Sequence, residues 1–198
     1  MGRPKSVEGK LATTDRLLAA ATEEFGRAGF APARLEDIAA AVGISRPSLL
    51  YHFGSKEQLY AAVVRAAFVS LGHELQQAMS PDGSFAERLD ALVTRSNAFF
   101  DSSPAVSSLI LREVIDGTGP GRALLNEFGV PLLDQVEAFV REAGGAELRP
   151  GLPVRAALLE IVVAGLVRAT AGPLREPLWG KVDHAGLLAH ARFFRDGS

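Results

Sequence analysis

Cationic and hydroxyl side chains that could contact nucleic acid are concentrated in residues 35–56, which read LEDIAAAVGISRPSLLYHFGSK. Arg46 and Ser48 stand at the start of a short stretch in which apolar residues recur at helical spacing. Their side chains can donate hydrogen bonds to base edges. Lys56 follows a Gly-Ser pair at the start of the next stretch, where free backbone N–H groups and an ammonium group can hold a phosphate. The chemistry that these residues indicate is recognition of a nucleic acid.

Two short helices and a tight turn are needed to present these side chains. Ala39 is small enough for two steeply crossing helices to touch, and Gly43 tolerates the positive φ of the corner between them. Ser45 is placed to cap the second helix, and Pro47 lies in its first turn, where a missing N–H costs nothing. The full set predicts a helix-turn-helix, in which the second helix presents its N-terminal end to the bases. Its expected core residues are Leu35, Ile38, Val42, Ile44, Leu49 and Phe53.

Composition limits the other possibilities. Of 198 residues, 47% are hydrophobic and 22% are charged, which permits a substantial core and argues against disorder. The absence of cysteine excludes disulfides, thiolate catalysis and zinc-finger sites, and fits a cytoplasmic location. The net charge of −2 divides into +2 for residues 1–65 and −4 for the rest, so the basic end coincides with the helix-turn-helix.

The predicted fold class is all-α, because apolar residues recur at helical spacing almost throughout and no strand pattern occurs. About nine helices are expected: Thr14–Ala28, Leu35–Val42, Arg46–Phe53, Lys56–Met79, Phe85–Phe100, Ala105–Asp116, Arg122–Ala143, Val154–Ala171 and His184–Arg195. Pro131 is expected to kink the seventh. A loop containing Trp179 is expected before the last. Residues 1–12 are expected to form a flexible basic arm, whose residues 2–5 either enter a minor groove or form a disordered tail.

Signals for catalysis, metal binding and membrane insertion are missing from the sequence. His73-Glu74 begins like a zinc-protease motif, but Gln77 stands where the second histidine would be needed. The glycine-rich turn at residues 117–121 has no strand before it, and the four histidines are scattered. The apolar run Ile161–Val167 is far shorter than the ~20 residues of a membrane span. No catalytic residue, metal, cofactor or membrane partner is therefore predicted.

The N-terminal third resembles the TetR family of transcriptional regulators. The segments TDRLLAAATEEFGRAGF and LEDIAAAVGISRPSLLYHFGSKEQLYAAV are similar to that family's signature over about residues 14–65. The matching positions are Ile38, Ala39, Gly43, Ser45, Leu49, His52, Phe53, Ser55, Lys56, Glu57 and Leu59. The resemblance implies a ligand-released repressor that binds a palindromic DNA operator as a homodimer, with activation as the alternative.

Several positions depart from the family pattern. Ala33 and Arg34 stand where Ser or Thr usually caps the second helix and touches phosphate, so Arg34 is expected to supply a cation instead. Pro47 stands where Gly is frequent and Leu50 where Tyr is frequent, so no operator sequence is carried over. The residues predicted to contact DNA are Arg34, Ser45, Arg46, Pro47, Ser48, Tyr51, His52 and Lys56. For His52, packing against the first helix is the alternative.

The resemblance also divides the chain into a DNA-binding domain, residues 1–56, and a helical ligand-binding and dimerisation domain, residues 57–198. A small-molecule pocket needs a few polar groups in an apolar wall. The candidates are Asn97, Phe100, Ser108, Arg112 and Phe128. The partner of Arg112 is expected to be a carboxylate, either of the ligand or of the protein.

A four-helix dimer interface is implied at the last two long helices, with burial inside one chain as the alternative. Their small and apolar faces comprise Ala157, Ile161, Ala164, Gly165 and Ala169 on one helix and Leu187, Leu188, Ala191 and Phe194 on the other. Two other function classes stay open. One is a helical small-molecule-binding protein that no longer binds DNA, and the other is a small helical enzyme, for which no catalytic constellation is visible.

Overall fold

The computed structural model describes residues 7–80, 82–116, 120–181 and 193–194. Their α-helices are α1 Val7–Ala28, α2 Leu35–Ala41, α3 Arg46–Phe53, α4 Lys56–Ala78, α5 Phe85–Ser102, α6 Pro104–Asp116, α7 Pro120–Leu124, α8 Val130–Gly144, α9 Val154–Thr170 and α10 Arg175–Trp179. A single isolated bridge, between Leu148 and Phe194, is the β pairing in this part of the chain. The all-α prediction is confirmed.

The ends of the chain depart most from the predicted elements. Helix α1 begins at Val7, so the expected arm is already helical from that residue onward. Residues 1–6, which include the arm at 2–5, lie outside the described residues. The loop predicted around Trp179 is wrong, because Gly172–Leu174 forms a 3₁₀ turn and α10 follows it. The predicted last helix, at 184–195, lies outside the described residues except for positions 193 and 194.

The three N-terminal helices pack as the sequence predicts. Leu17, Ala21 and Phe25 form the fully buried face of α1. Ile38 and Ala39 of α2 are buried at the crossing with α3, which contributes Leu49. Between the helices Gly43 has a φ of +75°, a left-handed conformation that residues with a Cβ rarely adopt. The corner is therefore a glycine turn, and α3 leaves it at a fixed angle to α2.

The seventh predicted helix is irregular in its middle. Between α7 and α8 the backbone forms a π-helical turn, Leu125–Gly129, and Pro131 follows at the second position of α8. Proline has no N–H to donate, and in a regular helix its ring would meet the carbonyl group four residues earlier. The wider π turn at this point accommodates both effects. Pro131 thus produces a local irregularity where a kink was expected.

Helices α1 and α4 of the N-terminal half pack directly on α6. Gly26 of α1 lies so close to α6 that an added Cβ would be 2.4 Å from the carbonyl oxygen of Ala105. The Tyr60 hydroxyl on α4 donates a hydrogen bond to Glu113 Oε1 on α6, and both residues are buried. The contact of Gly26 with Ala105 joins the predicted DNA-binding domain to α6, and the bond from Tyr60 to Glu113 joins α4 to the same helix.

The helices of the described ranges were also compared with the requirements of a membrane span. No helix there is long and apolar enough by itself to cross a bilayer. One pair, α9 with the segment Gly172–Trp179, meets the requirement by length and composition only, and it is bent by 113°.

Candidate nucleic-acid interface and apolar cavity

The leading end of α3 is built by a capped, proline-containing first turn. Ser45 is the N-cap, and its Oγ accepts a hydrogen bond from the backbone N–H of Ser48 at 3.3 Å, as predicted. Pro47 lies in that first turn, where its missing N–H leaves no partner unsatisfied. Leu49 is fully buried, whereas Arg46 and Pro47 are exposed and Ser48 is half-buried. The helix therefore anchors one face in the core and presents its polar start to solvent.

Arg46 forms an ion pair that the sequence does not reveal. Its Nε lies 3.2 Å from Glu36 Oε1, and the two side chains are 53% and 52% exposed. Glu36 belongs to the first turn of α2, so the pair bridges the first turns of the two crossing helices. An acidic residue is thus part of the surface that carries the predicted base-reading arginine.

The start of α4 forms a second part of this surface. Ser55 caps α4 by accepting a hydrogen bond from the Gln58 backbone N–H at 3.2 Å. The Lys56 ammonium donates to the Ala31 carbonyl oxygen at 3.0 Å and lies 4.9 Å from the centre of the Phe30 ring. Lys56 is therefore held at the loop between α1 and α2, with part of its side chain still accessible.

The remaining predicted contacts lie around the same helices. Arg34 is the N-cap of α2 but makes no side-chain capping hydrogen bond, and its side chain is exposed. Tyr51 is 79% exposed. The half-buried His52 ring packs edge-on against Tyr51, with ring centres 5.9 Å apart. None of the eight predicted DNA contacts is buried, so the structure leaves all of them accessible to a ligand.

A separate apolar cavity of about 260 Å³ lies among the helices of the C-terminal half. Its walls come from α4, α5, α6, α8 and α9 and from the π turn, and include Phe68, Leu71, Leu92, Phe100, Ile110, Leu133, Val162 and Leu166. Ser96 is the polar side chain in this lining, and its Oγ already donates a hydrogen bond to the Val93 carbonyl oxygen at 2.9 Å. A guest of this cavity would therefore meet hydrocarbon almost everywhere.

Of the five predicted pocket residues, Phe100 lines this cavity. Asn97 is buried instead against Gly165, and Ser108 is half-buried on α6. Phe128 lies beneath the guanidinium group of Arg65, 5.4 Å from the ring centre.

Arg112 differs more clearly from its prediction. It is exposed and donates to the carbonyl oxygen of Arg27 at 3.1 Å, so the partner seen here is a backbone carbonyl group and not the expected carboxylate. Arg112 also borders a second pocket, at the junction of α1, α4 and α6.

The outer face of α9 differs from the predicted dimer face. Ala157 and Gly165 are buried within the chain, and Ile161 lines the cavity. Ala164 of the predicted face is exposed, and the large exposed apolar residues of α9 are Leu159, Val163 and Val167. Phe194, predicted for the partner helix of the interface, is buried against Phe85 with ring centres 5.4 Å apart. Burial inside the chain, which was the alternative to an interface, therefore holds for Ala157, Gly165 and Phe194.

Comparisons with known proteins agree with the helix-turn-helix. Residues 17–63 match the model of bacterial regulatory proteins of the tetR family. The transcriptional activator FasR of Mycolicibacterium smegmatis is 38% identical over 86 residues, which are 43% of this chain and 38% of FasR. The transcriptional regulator RutR of Escherichia coli K12 is 51% identical over 49 residues, which are 25% of this chain and 23% of RutR. The matches thus span well under half of these relatives.

Solved structures extend the likeness of fold over nearly the whole chain. A tetR-family regulatory protein from Rhodococcus RHA1 superposes with a TM-score of 0.74 at 21% identity, covering 93% of this chain and 98% of that one. The regulator FadR from Bacillus subtilis, solved in complex with stearoyl-CoA, gives a TM-score of 0.72 at 15% identity, with coverages of 89% and 95%. With the helix-turn-helix signature, its geometry and the family-model match in agreement, residues 17–63 form a DNA-binding region of the tetR family of bacterial regulatory proteins.

Proposed function

We propose that the chain is a cytoplasmic transcriptional regulator that binds a palindromic operator as a homodimer and leaves it when a small molecule binds. The observation that carries this proposal is the start of α3. There, Arg46 and Ser48 project from a turn that Ser45 and Pro47 fix in place. Base-edge contacts from this end specify sequence, while Arg34, Tyr51 and Lys56 supply phosphate contacts that set register and affinity.

A homodimer through α9 and the segment after it follows from exposed apolar surface. Leu159, Val163 and Val167 lie at helical spacing on α9 and are partly exposed, although Leu159 and Val163 also line the cavity. Association would remove this apolar surface from water. Two-fold symmetry would place two copies of α3 in successive major grooves, about 34–36 Å apart or somewhat more. The operator is therefore expected to contain two inverted half-sites.

The effector best suited to the cavity carries a hydrocarbon chain. The hydroxyl of Ser96 has already used its one proton, so the wall offers a polar guest no side-chain donor, and burial of apolar surface would drive binding. The structurally similar FadR was solved with stearoyl-CoA bound, which supports acyl compounds as the first class to test. An acyl chain in the cavity with its polar head outside is the arrangement that we propose.

Release from DNA would follow from the shared helices. Helices α4 and α6 both line the cavity, and both also contact α1 of the N-terminal domain. Helix α4 does so through the ring contact of Tyr60 with Phe25, and α6 through the contact of Ala105 with Gly26. A ligand that fits the cavity best when these helices are further apart would favour a dimer whose α3 spacing no longer matches the grooves. DNA and ligand would then weaken each other's binding to the same extent. Binding of the protein to its operator is expected to repress transcription, although the relative FasR is named an activator.

Selection of duplexes from a random pool, followed by titration of the complex with acyl-CoA, tests this function. We expect an enriched inverted repeat and release of the DNA by long acyl chains. Val162→Phe, which fills part of the cavity, should reduce release while leaving DNA binding intact. Val69→Phe, at an exposed site on α4 outside the cavity, is the matched control. Failure to enrich any sequence would favour a small-molecule-binding protein without DNA-binding activity.

A further inference from the structure

We propose that Glu36 is a specificity-determining residue that positions Arg46 and disfavours binding to unrelated DNA. This inference rests on the proposed DNA-binding function and assigns a role to an acidic residue where a DNA surface would be expected to carry cations. The observation behind it is the ion pair between Glu36 Oε1 and Arg46 Nε, 3.2 Å long.

The pair is held by two rigid backbones. Glu36 stands in the first turn of α2, next to the buried Leu35 and two residues before the buried Ile38. Arg46 is the first residue of α3, beside the capped turn. Because the α2–α3 corner fixes both Cα positions, the carboxylate restricts where the arginine side chain can point.

The atoms involved leave base recognition possible. The ion pair uses Nε, whereas bidentate recognition of guanine O6 and N7 can use the two terminal amino groups of the guanidinium. On a matching base pair Arg46 could therefore keep its contact with Glu36 while bonding the base. A phosphate in place of the base would lie near the carboxylate, and the like charges would repel.

The magnitude of this effect is modest and concerns specificity, not stability. Both side chains are about half exposed, and exposed ion pairs contribute about 0.2–1 kcal/mol. In binding terms this corresponds to a factor of about 1.4 to 5. An effect of this size is measurable as a change in the ratio between operator and non-specific affinity.

Asp37 provides a matched control. It is the next residue of the same first turn and is exposed, and no ion pair of Asp37 is found within the described residues. Asp37→Asn and Glu36→Gln therefore make the same change in charge at neighbouring sites, but only the second removes the contact with Arg46. A difference between the two variants isolates the pair from the general effect of charge.

The experiment measures Kd for the selected operator and for an unrelated duplex of equal length, over a series of salt concentrations. For Glu36→Gln we expect non-specific binding to tighten by a factor of about 1.4 to 5 with no gain at the operator, so the ratio of the two affinities falls. For Asp37→Asn we expect both affinities to change together and the ratio to stay constant. Circular dichroism establishes that each variant is folded.

The same pair of variants in an Arg46→Ala background completes the test. There, Glu36→Gln should no longer change the ratio more than Asp37→Asn does. If the two variants behave alike in the wild-type background, or if the effect of Glu36→Gln survives without Arg46, the inference is wrong while the DNA-binding function stands. If the wild-type chain binds the operator and the unrelated duplex with equal affinity, the proposed function is wrong, and the inference that rests on it is wrong as well.

Discussion

Lys56 has one charge and two neighbours inside the protein, the Ala31 carbonyl oxygen and the Phe30 ring. An ammonium group has three donors, so the bond to Ala31 leaves others for a phosphate. The internal contacts also fix the position of the group before DNA arrives. Lys56 thus connects the α1–α2 loop with the surface that is proposed to hold the DNA backbone.

Replacing Lys56 by Ala should weaken binding to every DNA sequence and reduce the slope of log K against log salt by about one, because one phosphate contact is lost. Lys56→Gln keeps a donor for Ala31 while removing the charge, and it should give the same reduced slope. The measurement is a salt titration of both variants. Slopes equal to that of the wild-type protein would mean that Lys56 does not contact phosphate.

Arg46 belongs to the same surface but is expected to act on sequence preference. Arg46→Ala should cost about 1–3 kcal/mol at the operator and relax the preference at one base position in each half-site, because a bidentate base contact is lost. Repeating the selection from a random pool with the variant measures this directly. An unchanged base preference at every position would show that Arg46 contacts only the backbone or solvent.

At the scale of elements, α5 begins with a complete capping box. The Ser84 Oγ accepts from the Glu87 backbone N–H at 3.3 Å, and Glu87 Oε2 accepts from the Ser84 backbone N–H at 2.8 Å. The bond from the Ser84 backbone N–H, together with one that the Ser84 hydroxyl donates to Glu87 Oε2 at 2.9 Å, holds the pKa of Glu87 below its usual value. Because α5 supplies part of the cavity wall, its N-terminal cap also supports the proposed effector site.

Ser84→Ala should lower the free energy of unfolding by about 0.5–2 kcal/mol, because a helix N-cap is lost. The wild-type contribution is present above the unfolded-state pKa of Glu87 and disappears as the pH falls through the lower folded-state pKa. The gap between variant and wild type should therefore narrow on acidification below about pH 4.5. Urea unfolding at several pH values measures it, and Ser102→Ala, on an exposed serine at the end of the same helix, is the control.

How well each element could be predicted depended on how local its signals are. The bounds of α3 follow from Ser45, Pro47 and the glycine after Phe53, and they agree with the structure. Helix α10 was missed because it has five residues, too few for a periodic pattern. Its Pro177 suggested a loop, yet it stands in the first helical turn, where no N–H is required.

The two candidate sites also differ in how far local sequence patterns predict them. The DNA-contacting side chains lie within one short segment, so their spacing alone places them on one surface. The cavity draws its walls from helices far apart in the chain, and no local pattern tells which apolar residues face a void. Helix α9 is apolar on most sides, so periodicity could not separate its buried residues, such as Ala157, from exposed ones, such as Leu159.

At the scale of the whole molecule, Tyr60 connects three helices, because its ring packs on Phe25 of α1 and its hydroxyl bonds Glu113 of α6. Burial and the neighbouring carboxylate of Glu113 raise the pKa of Tyr60 far above its ordinary value of 10.0. A group with a raised folded-state pKa stabilises the fold below its unfolded-state pKa, and this contribution is lost as the pH rises beyond it. The protein should therefore lose stability above about pH 10.

A Tyr51→Phe variant makes this testable, because the chain has two tyrosines and Tyr60 would be the one left. On alkaline titration, tyrosinate absorbance should appear together with the loss of helical circular dichroism and not before it. Ionisation in a chain that keeps its helical signal would contradict the buried contact.

Tyr60→Phe, which leaves the Glu113 carboxylate without its donor, should cost about 1–3 kcal/mol of stability at neutral pH.

The contact of Gly26 with the backbone of Ala105 has a consequence for recombination between relatives. An added Cβ would stand 2.4 Å from a carbonyl oxygen, and backbone cannot yield as a flexible side chain can. A chimera that joins the DNA-binding domain of another protein to the C-terminal helices of this chain would therefore need glycine at that position of α1. Otherwise α1 and α6 would have to lie further apart. Exchange of DNA-binding domains among such proteins would then be limited by the space between these two helices at one glycine.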